Sequence, residues 1–382
     1  MKPKEPRDSK LICHLTSVHP RSDTRIWIKE VGSIAKAYPK AVALLVLDGE
    51  GDWHAADKSV SILDCGSRPR SRILRALVGN FKLGIRFLRV SGKVAHFHDP
   101  ELIPLGLFLK ILGKPVVYDV HEEVGKQILG KEWIPPLIRR AISHFFSIFE
   151  FLSSMTFSQI VCATPAIAAS FNRHKVSVVQ NFPLLDEFLQ PPTAMKKTLS
   201  NQFLYVGGLT EIRGVFEMIR SIDLMPLNCG KLAIAGSFQP RTIQTELERL
   251  EGWRNVIYAG QVNREKLADL MRDSVAGLVL FLPSPNHTRS QPNKLFEYMA
   301  ASLPIIASDF PLWRAIISEA KCGFLVDPQN PQAIADAMTW ILEHPSEALE
   351  MGRNGRIAVE SMYNWETEAK KLLKFYHGFI PL

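Results

Sequence analysis

The chain has 382 residues, 46% hydrophobic and 22% charged, with no low-complexity tract and no repeat period. It is therefore globular and, being longer than most single cores, is expected to form two domains. Its five cysteines are scattered without a CxxC pair, which argues against a disulfide framework or a zinc site and fits a reduced, cytoplasmic setting. The basic N-terminus, MKPKEPRDSK, lacks the apolar run of a signal peptide.

Residues 11–17 (LICHLTS) read as a first strand, followed by the loop HPRSDTR and a helix from about Ile26 to Lys36. A strand, loop and helix at the start of a chain point to a doubly wound parallel sheet that places ligands outside its strand C-termini. Arg25 closes this loop with a positive charge that suits a phosphate; Asp23 or Thr24 serves equally well as the helix N-cap. Further strands are expected at Ala41–Asp48, Ser59–Asp64 and Val94–His98.

The +8 net charge is concentrated. Between Cys65 and His98 there is no acidic residue, while Arg68, Arg70, Arg72, Arg75, Lys82, Arg86, Arg89 and Lys93 alternate with apolar side chains. The result is a helix with one cationic and one apolar side, which suits either an anionic membrane surface or a solvated helix packed on the sheet. Nucleic acid is not expected as a partner, because no base-reading motif accompanies the charge.

His96 and His98 alternate with Phe97, so both point to one face of their strand, and Asp99-Pro100 opens the next helix. Two histidines and an aspartate at this spacing invite a metal, but no fourth ligand is evident and none is expected. Pro115–Val120 is the next strand, with His121, Glu122 and Glu123 at its C-terminal end. The stretch Ala141–Ala163 is long and rich in phenylalanine. It contains Glu150, which in a spanning helix would cost about 2.5 kcal/mol or more, so a buried or surface-docking helix is expected. Strands at Gln159–Thr164 and Val176–Phe182 close the first sheet, and LLDEFLQPPTAMKKTLSN reads as an interdomain linker.

The alternation restarts at Phe203–Val206, which ends in Gly207-Gly208, residues that let a phosphate approach the backbone closely. Strands at Lys231–Ala235 and Val256–Gln261 precede a fully apolar one at Ala276–Leu282. After a polar loop, Pro292-Asn293-Lys294-Leu295-Phe296-Glu297 begins a short helix, with Pro292 in its first turn. Such a helix N-terminus at a sheet edge is an anion site; Lys294 adds positive charge there, and Glu297 can accept hydrogen bonds from paired hydroxyls. A strand at Gly323–Asp327, a helix from Pro331 to His344 and two more to about residue 378 finish the chain.

The segment EYMAASLPIIASDFPLW resembles the donor-binding motif of the retaining glycosyltransferases of family 4. Two further stretches carry the resemblance: HFHDPELIPLGLFLKILGKPVVYDVHEE, and His19-Pro20 with Asp23-Thr24-Arg25-Ile26. The resemblance implies a GT-B fold, two Rossmann-like parallel-sheet domains facing a cleft. The expected division is an acceptor-side domain over 1–183, a linker over 184–200, a nucleotide-sugar domain over 201–360 and a C-terminal helical segment, 361–382, returning to the first domain. In the family a pair of glutamates eight positions apart holds donor sugar and ribose. Glu297 matches the second, Arg289 stands in place of the first, and Ser302 replaces a usual Gly. An Arg and a Lys grip the diphosphate in the family; Gly208 replaces the Arg and Arg213 the Lys.

The resemblance therefore implies a retaining transferase that moves a sugar from a nucleotide-diphosphate donor to a saccharide acceptor, lipid-linked in bacterial polysaccharide assembly. It assigns His121 and Glu297 to the chemistry. Donor contacts fall to Gly207, Gly208, Arg213, Pro292, Asn293, Lys294, Leu295 and Glu297, and the acceptor side to Asp23, Thr24, Arg25, His98 and Asp99. No cofactor or metal is implied; taken with the basic stretch Arg68–Lys93, the resemblance leads to the expectation of a cytoplasmic protein peripheral on the inner face of the plasma membrane. Two alternatives stay open: a silent nucleotide-sugar binder, and an epimerase acting on the nucleotide sugar itself.

Overall fold

A computed structural model describes residues 12–56, 59–130, 134–188, 200–226, 230–284 and 287–378. Most of the linker expected over 184–200 lies outside these residues. The chain divides into two compact units, 1–181 with 366–382, and 182–365.

The first unit is built on an eight-stranded sheet in the order β3-β4-β2-β1-β5-β6-β7-β8. Its strands are β1 (Ile12–Leu15), β2 (Val42–Val46), β3 (Trp53–His54), β4 (Val60–Asp64), β5 (Val94–Phe97), β6 (Val116–Val120), β7 (Gln159–Cys162) and β8 (Val176–Val178). All pairs are parallel except β3 with β4. The two-residue β3 was not expected; neither of its residues is buried, so no hydrophobic alternation announces it. The first helix begins at Thr24, two residues earlier than expected, and runs with a wide turn over Thr24–Val31 into Gly32–Ala37. Asp23 is its N-cap, accepting from the Ile26 N–H at 2.9 Å.

The basic helix runs from Arg72 to Arg89. Leu83 and Phe87 are buried in the core, while Ile73, Leu77 and Phe81, one turn apart from each other, are 73, 66 and 69% exposed. Two of its cations are already engaged, Arg75 with Glu101 and Arg86 with Asp52. The phenylalanine-rich helix is Pro136–Thr156; no described helix is long and apolar enough to cross a membrane. Glu150 is buried there and accepts a hydrogen bond from the Tyr118 hydroxyl at 2.7 Å.

The second unit carries six parallel strands in the order β11-β10-β9-β12-β13-β14. They are β9 (Gln202–Val206), β10 (Lys231–Ala235), β11 (Val256–Tyr258), β12 (Ala276–Val279), β13 (Ile305–Ser308) and β14 (Gly323–Val326). Successive residues feed opposite cores: Phe203 and Tyr205 join one apolar cluster and Leu204 the other. Helices covering both faces are why these strands read as unbroken apolar runs. Each large side chain so buried contributes roughly 1.5–3 kcal/mol.

Candidate functional site

Ligands of a doubly wound sheet collect beyond the strand C-termini where the strand order reverses. In the second unit that point lies between β9, flanked on its other side by β10, and β12. The chain leaves β9 through Gly207, at φ 134°, and Gly208. A Cβ on neighbouring Gly236 would fall 1.8 Å from the Gly207 carbonyl oxygen, so the backbones pack with no room for a side chain. A Cβ on Gly207 would meet Lys294 Nζ at 2.9 Å and Arg213 Nη1 at 3.3 Å, and one on Gly208 would meet Arg213 Nη1 at 3.2 Å. Two cations therefore lie directly over a stretch of bare backbone. Arg213 is held there by Gly214, whose φ of 70° starts the helix Val215–Leu224 and whose Cα sits against the Leu280 carbonyl.

Lys294 is buried, and its Nζ has no hydrogen-bond partner among the described residues. It sits 3.8 Å from the centroid of the Tyr205 ring and 5.1 Å from that of Phe281. Those π faces offset part of its lost hydration. Burial, then the Arg213 guanidinium, pushes its pKa well below the ordinary 10.5, with Glu297 opposing. A buried amine in this position is costly without a counter-charge or a hydrogen-bond partner.

The helix that carries Lys294 spans Asn293–Ala300. Pro292, expected inside its first turn, is instead the N-cap: ψ of 130° is extended backbone, so the helical turn starts one residue later. No side chain caps this end, leaving N–H groups turned outward beside Asn293. Leu295 is fully buried and anchors the helix in the core. Glu297, one turn in, accepts a hydrogen bond from Arg264 at 2.8 Å, and Arg264 also pairs with Glu187. His287, buried against the Phe281 ring at 4.8 Å, feels the Arg213 and Lys294 charges and, mainly through burial, has a lowered pKa. Arg289 stands exposed in the turn His287–Arg289. Ser302 adopts φ 54°, a left-handed conformation that explains why glycine suits its position.

In the first unit the reversal falls between β1 and β5, and the predicted polar residues gather there. Asp99 stands at the N-cap position of the next helix, but no side-chain cap forms. Its Oδ2 instead accepts from Thr16 Oγ1 (2.8 Å), the Ser17 N–H (2.6 Å) and the Val18 N–H (3.2 Å), fastening the loop after β1. His19 bridges Asp23 and Asp99 at 3.2 and 3.4 Å.

Arg25, expected to face an acceptor phosphate, is only 4% exposed and turns inward. It donates to Asp119 at 2.8 Å and to the Val179 carbonyl at 2.9 Å, and lies 3.0 Å from Glu30. A buried guanidinium with two carboxylates in reach has its charge met inside the fold.

Asp119, missed in the sequence, is the hub of this cluster: His98 Nδ1 is 3.0 Å and His121 Nε2 3.1 Å from its Oδ2. The Arg25 guanidinium, His121 and His98 hold its carboxyl well below 3.8, against the cost of burial. His121 itself is lowered to about 3, by burial first and with Arg25 outweighing part of the help from Asp119. It is a neutral imidazole that keeps a fixed hydrogen-bonding role. The signal for Asp119 was present, since a carboxylate in the apolar strand VVYDV requires buried partners. Arg264 and Glu187 gave none, because their meeting with Glu297 joins three distant segments.

Residues 190–358 match the family described as Glycosyl transferases group 1. The chain is 26% identical to the D-rhamnosyltransferase WbpZ of Pseudomonas aeruginosa over 295 residues, covering 73% of this chain and 71% of that protein. Among solved structures it resembles sucrose-phosphate synthase from Thermosynechococcus elongatus, with a TM-score of 0.77 at 17% identity over 97% of this chain and 98% of the other. It also resembles Anabaena Alr3699/HepE in complex with UDP-glucose, with a TM-score of 0.72 at 12% identity over 96% and 99%. At these identities the structures establish the shared fold: two parallel-sheet α/β domains.

Proposed function

We propose that this protein transfers a sugar, with retained configuration, from a nucleotide-diphosphate donor to a saccharide acceptor, a reading supported by the match of residues 190–358 to the Glycosyl transferases group 1 family. The observation that carries this reading is the buried, unpartnered Lys294 amine beside Arg213, over the bare Gly207-Gly208 turn and at the uncapped end of the helix Asn293–Ala300. A diphosphate supplies the missing negative charge and accepts the outward N–H groups. Glu297, held by Arg264, is then oriented for ribose hydroxyls.

As the leaving diphosphate gains charge, fixed donors of this kind each lower the barrier by about 3 kcal/mol. Arg289 takes the place of a carboxylate beside the donor, so front-face attack is preferred to a double displacement. UDP-glucose in the Anabaena relative supports a nucleotide sugar as donor class. Thermal-shift and calorimetric screening with UDP, GDP, ADP and dTDP and their sugars tests the assignment. Stabilisation by at least one diphosphate, lost in Lys294→Met, is expected; no response to any of them overturns it.

The acceptor in this reading is lipid-linked and is met at an anionic membrane surface. Support comes from the helix Arg72–Arg89, which exposes Ile73, Leu77 and Phe81 together with unpaired basic residues, and from Leu137, Phe145 and Leu152 exposed on Pro136–Thr156. Arg70, Lys82, Arg89 and Lys93 have no carboxylate partner among the described residues. Replacing these four with Gln is expected to weaken co-sedimentation with anionic vesicles by roughly fivefold per charge. Unchanged sedimentation refutes the membrane assignment while leaving the donor site standing.

A further inference from the structure

Beneath the end of the first sheet, His98 also belongs to a second, fully buried cluster of polar residues. In the parallel register of β1 and β5, His14 stands opposite His96. The two project to the same face, and His98 follows two residues on. The helix Thr24–Val31 lays Glu30 against them. His14, Glu30 and His96 are 0% exposed and His98 2%.

Their polar atoms converge. His14 Nδ1 is 2.9 Å from His98 Nε2, and Glu30 Oε2 is 3.9 Å from both His14 Nδ1 and His96 Nε2. One ligand atom from each residue lies within 4.8 Å of all the others. A tetrahedral centre with bonds of about 2.0–2.1 Å separates its ligand atoms by about 3.4 Å, between the two distances found here. Glu30 Oε2 and His96 Nε2 have no hydrogen-bond partner among the described residues. Left so, each costs about 1–3 kcal/mol.

The far sides of three of the four groups have close neighbours. His98 Nδ1 is 3.0 Å from Asp119 Oδ2, His96 Nδ1 meets the Tyr376 hydroxyl, and Glu30 Oε1 is 3.0 Å from Arg25 Nε. Outer partners of this kind fix imidazole tautomer and orientation around metals. His14 Nε2 and Glu30 Oε1 have no hydrogen-bond partner among the described residues, and the His14 and His98 rings lie 20° apart.

We propose that His14 Nδ1, His96 Nε2, His98 Nε2 and Glu30 Oε2 bind one divalent metal of the zinc class. Three imidazoles and a carboxylate suit that borderline ion. Four protein ligands in a closed pocket leave no open position, so the role is structural. The ion ties β1, β5 and the first helix together and, through Tyr376, the C-terminal helix Trp365–Tyr376. The sequence offered His96 and His98 but no fourth ligand; strand register and helix packing supply His14 and Glu30.

Because the pocket is closed, the metal is expected to enter during folding. The full chain, free of affinity tags that bind metal, is expressed in minimal medium with zinc and, separately, with cobalt. Stoichiometric metal by plasma mass spectrometry, the intense visible bands of four-coordinate cobalt, and a lower melting point after unfolding and refolding with chelator are expected. His96→Gln and Glu30→Gln should each lose the cobalt bands. A folded wild-type chain that carries no metal from either medium overturns the proposal, as does metal retained in both variants. The wild-type result decides the matter even where a variant fails to fold.

Discussion

Lys294 gives opposite signs for stability and for binding, and this separates an anion site from a structural lysine. In Lys294→Met the aliphatic stem keeps its packing against Tyr205 and Phe281, while the unpartnered amine is removed. A buried polar group without a partner costs about 1–3 kcal/mol, so the variant should unfold at the same or higher denaturant concentration than the wild type. The diphosphate, by contrast, loses a charge-assisted hydrogen bond of about 1.5–3 kcal/mol. At about 1.4 kcal/mol per decade, that is roughly 10- to 150-fold in affinity. Binding is also linked to protons. Burial holds the pKa of the free lysine well below 10.5, and a bound anion raises it, so the complex takes up a proton and affinity strengthens as pH falls from the ordinary lysine range towards the lowered value. Titration calorimetry in two buffers of different ionisation enthalpy counts that proton, and urea denaturation measures the stability. Unchanged affinity in Lys294→Met, or a marked loss of stability with it, would refute the assignment.

Glu297→Gln removes the carboxylate charge that pairs with Arg264 and should cost about tenfold in nucleotide diphosphate affinity. The wild type's preference for ribo- over deoxyribonucleotides, measured by competition, should disappear in the same variant. Gly214→Ala puts a Cβ 1.9 Å from the Leu280 carbonyl at φ 70° and should cost about 3 kcal/mol or more in urea melts. Gly51→Ala, at φ 83° but with nothing within 4 Å, should cost only about 1–2 kcal/mol. His121, lowered to about 3 by burial, holds fewer protons folded than unfolded between that value and 6.5. Stability should therefore fall as pH drops below 6.5, by up to about 1.4 kcal/mol per pH unit for this group, and His121→Asn should flatten that slope. The turnover number should show no inflection near 6.5.

By itself the sequence determined those features that are local or periodic. Apolar runs buried on both faces marked the parallel strands, an Asp at the start of the first helix supplied its cap, and a short helix after a polar loop placed Lys294 near an uncapped helix end. Each rests on neighbours within a few residues, so spacing alone carries it. Tertiary structure decided the charge partners. Arg25 turned inward because Asp119 and Glu30, 94 and five positions away, compensate it better than solvent-facing geometry allows. Arg264 reached Glu297 across 33 positions and Glu187 across 77, and strand register set His14 beside His96. Electrostatic pairing acts through space with no sequence period, which is why these contacts were invisible until the sheet fixed which strand ends meet.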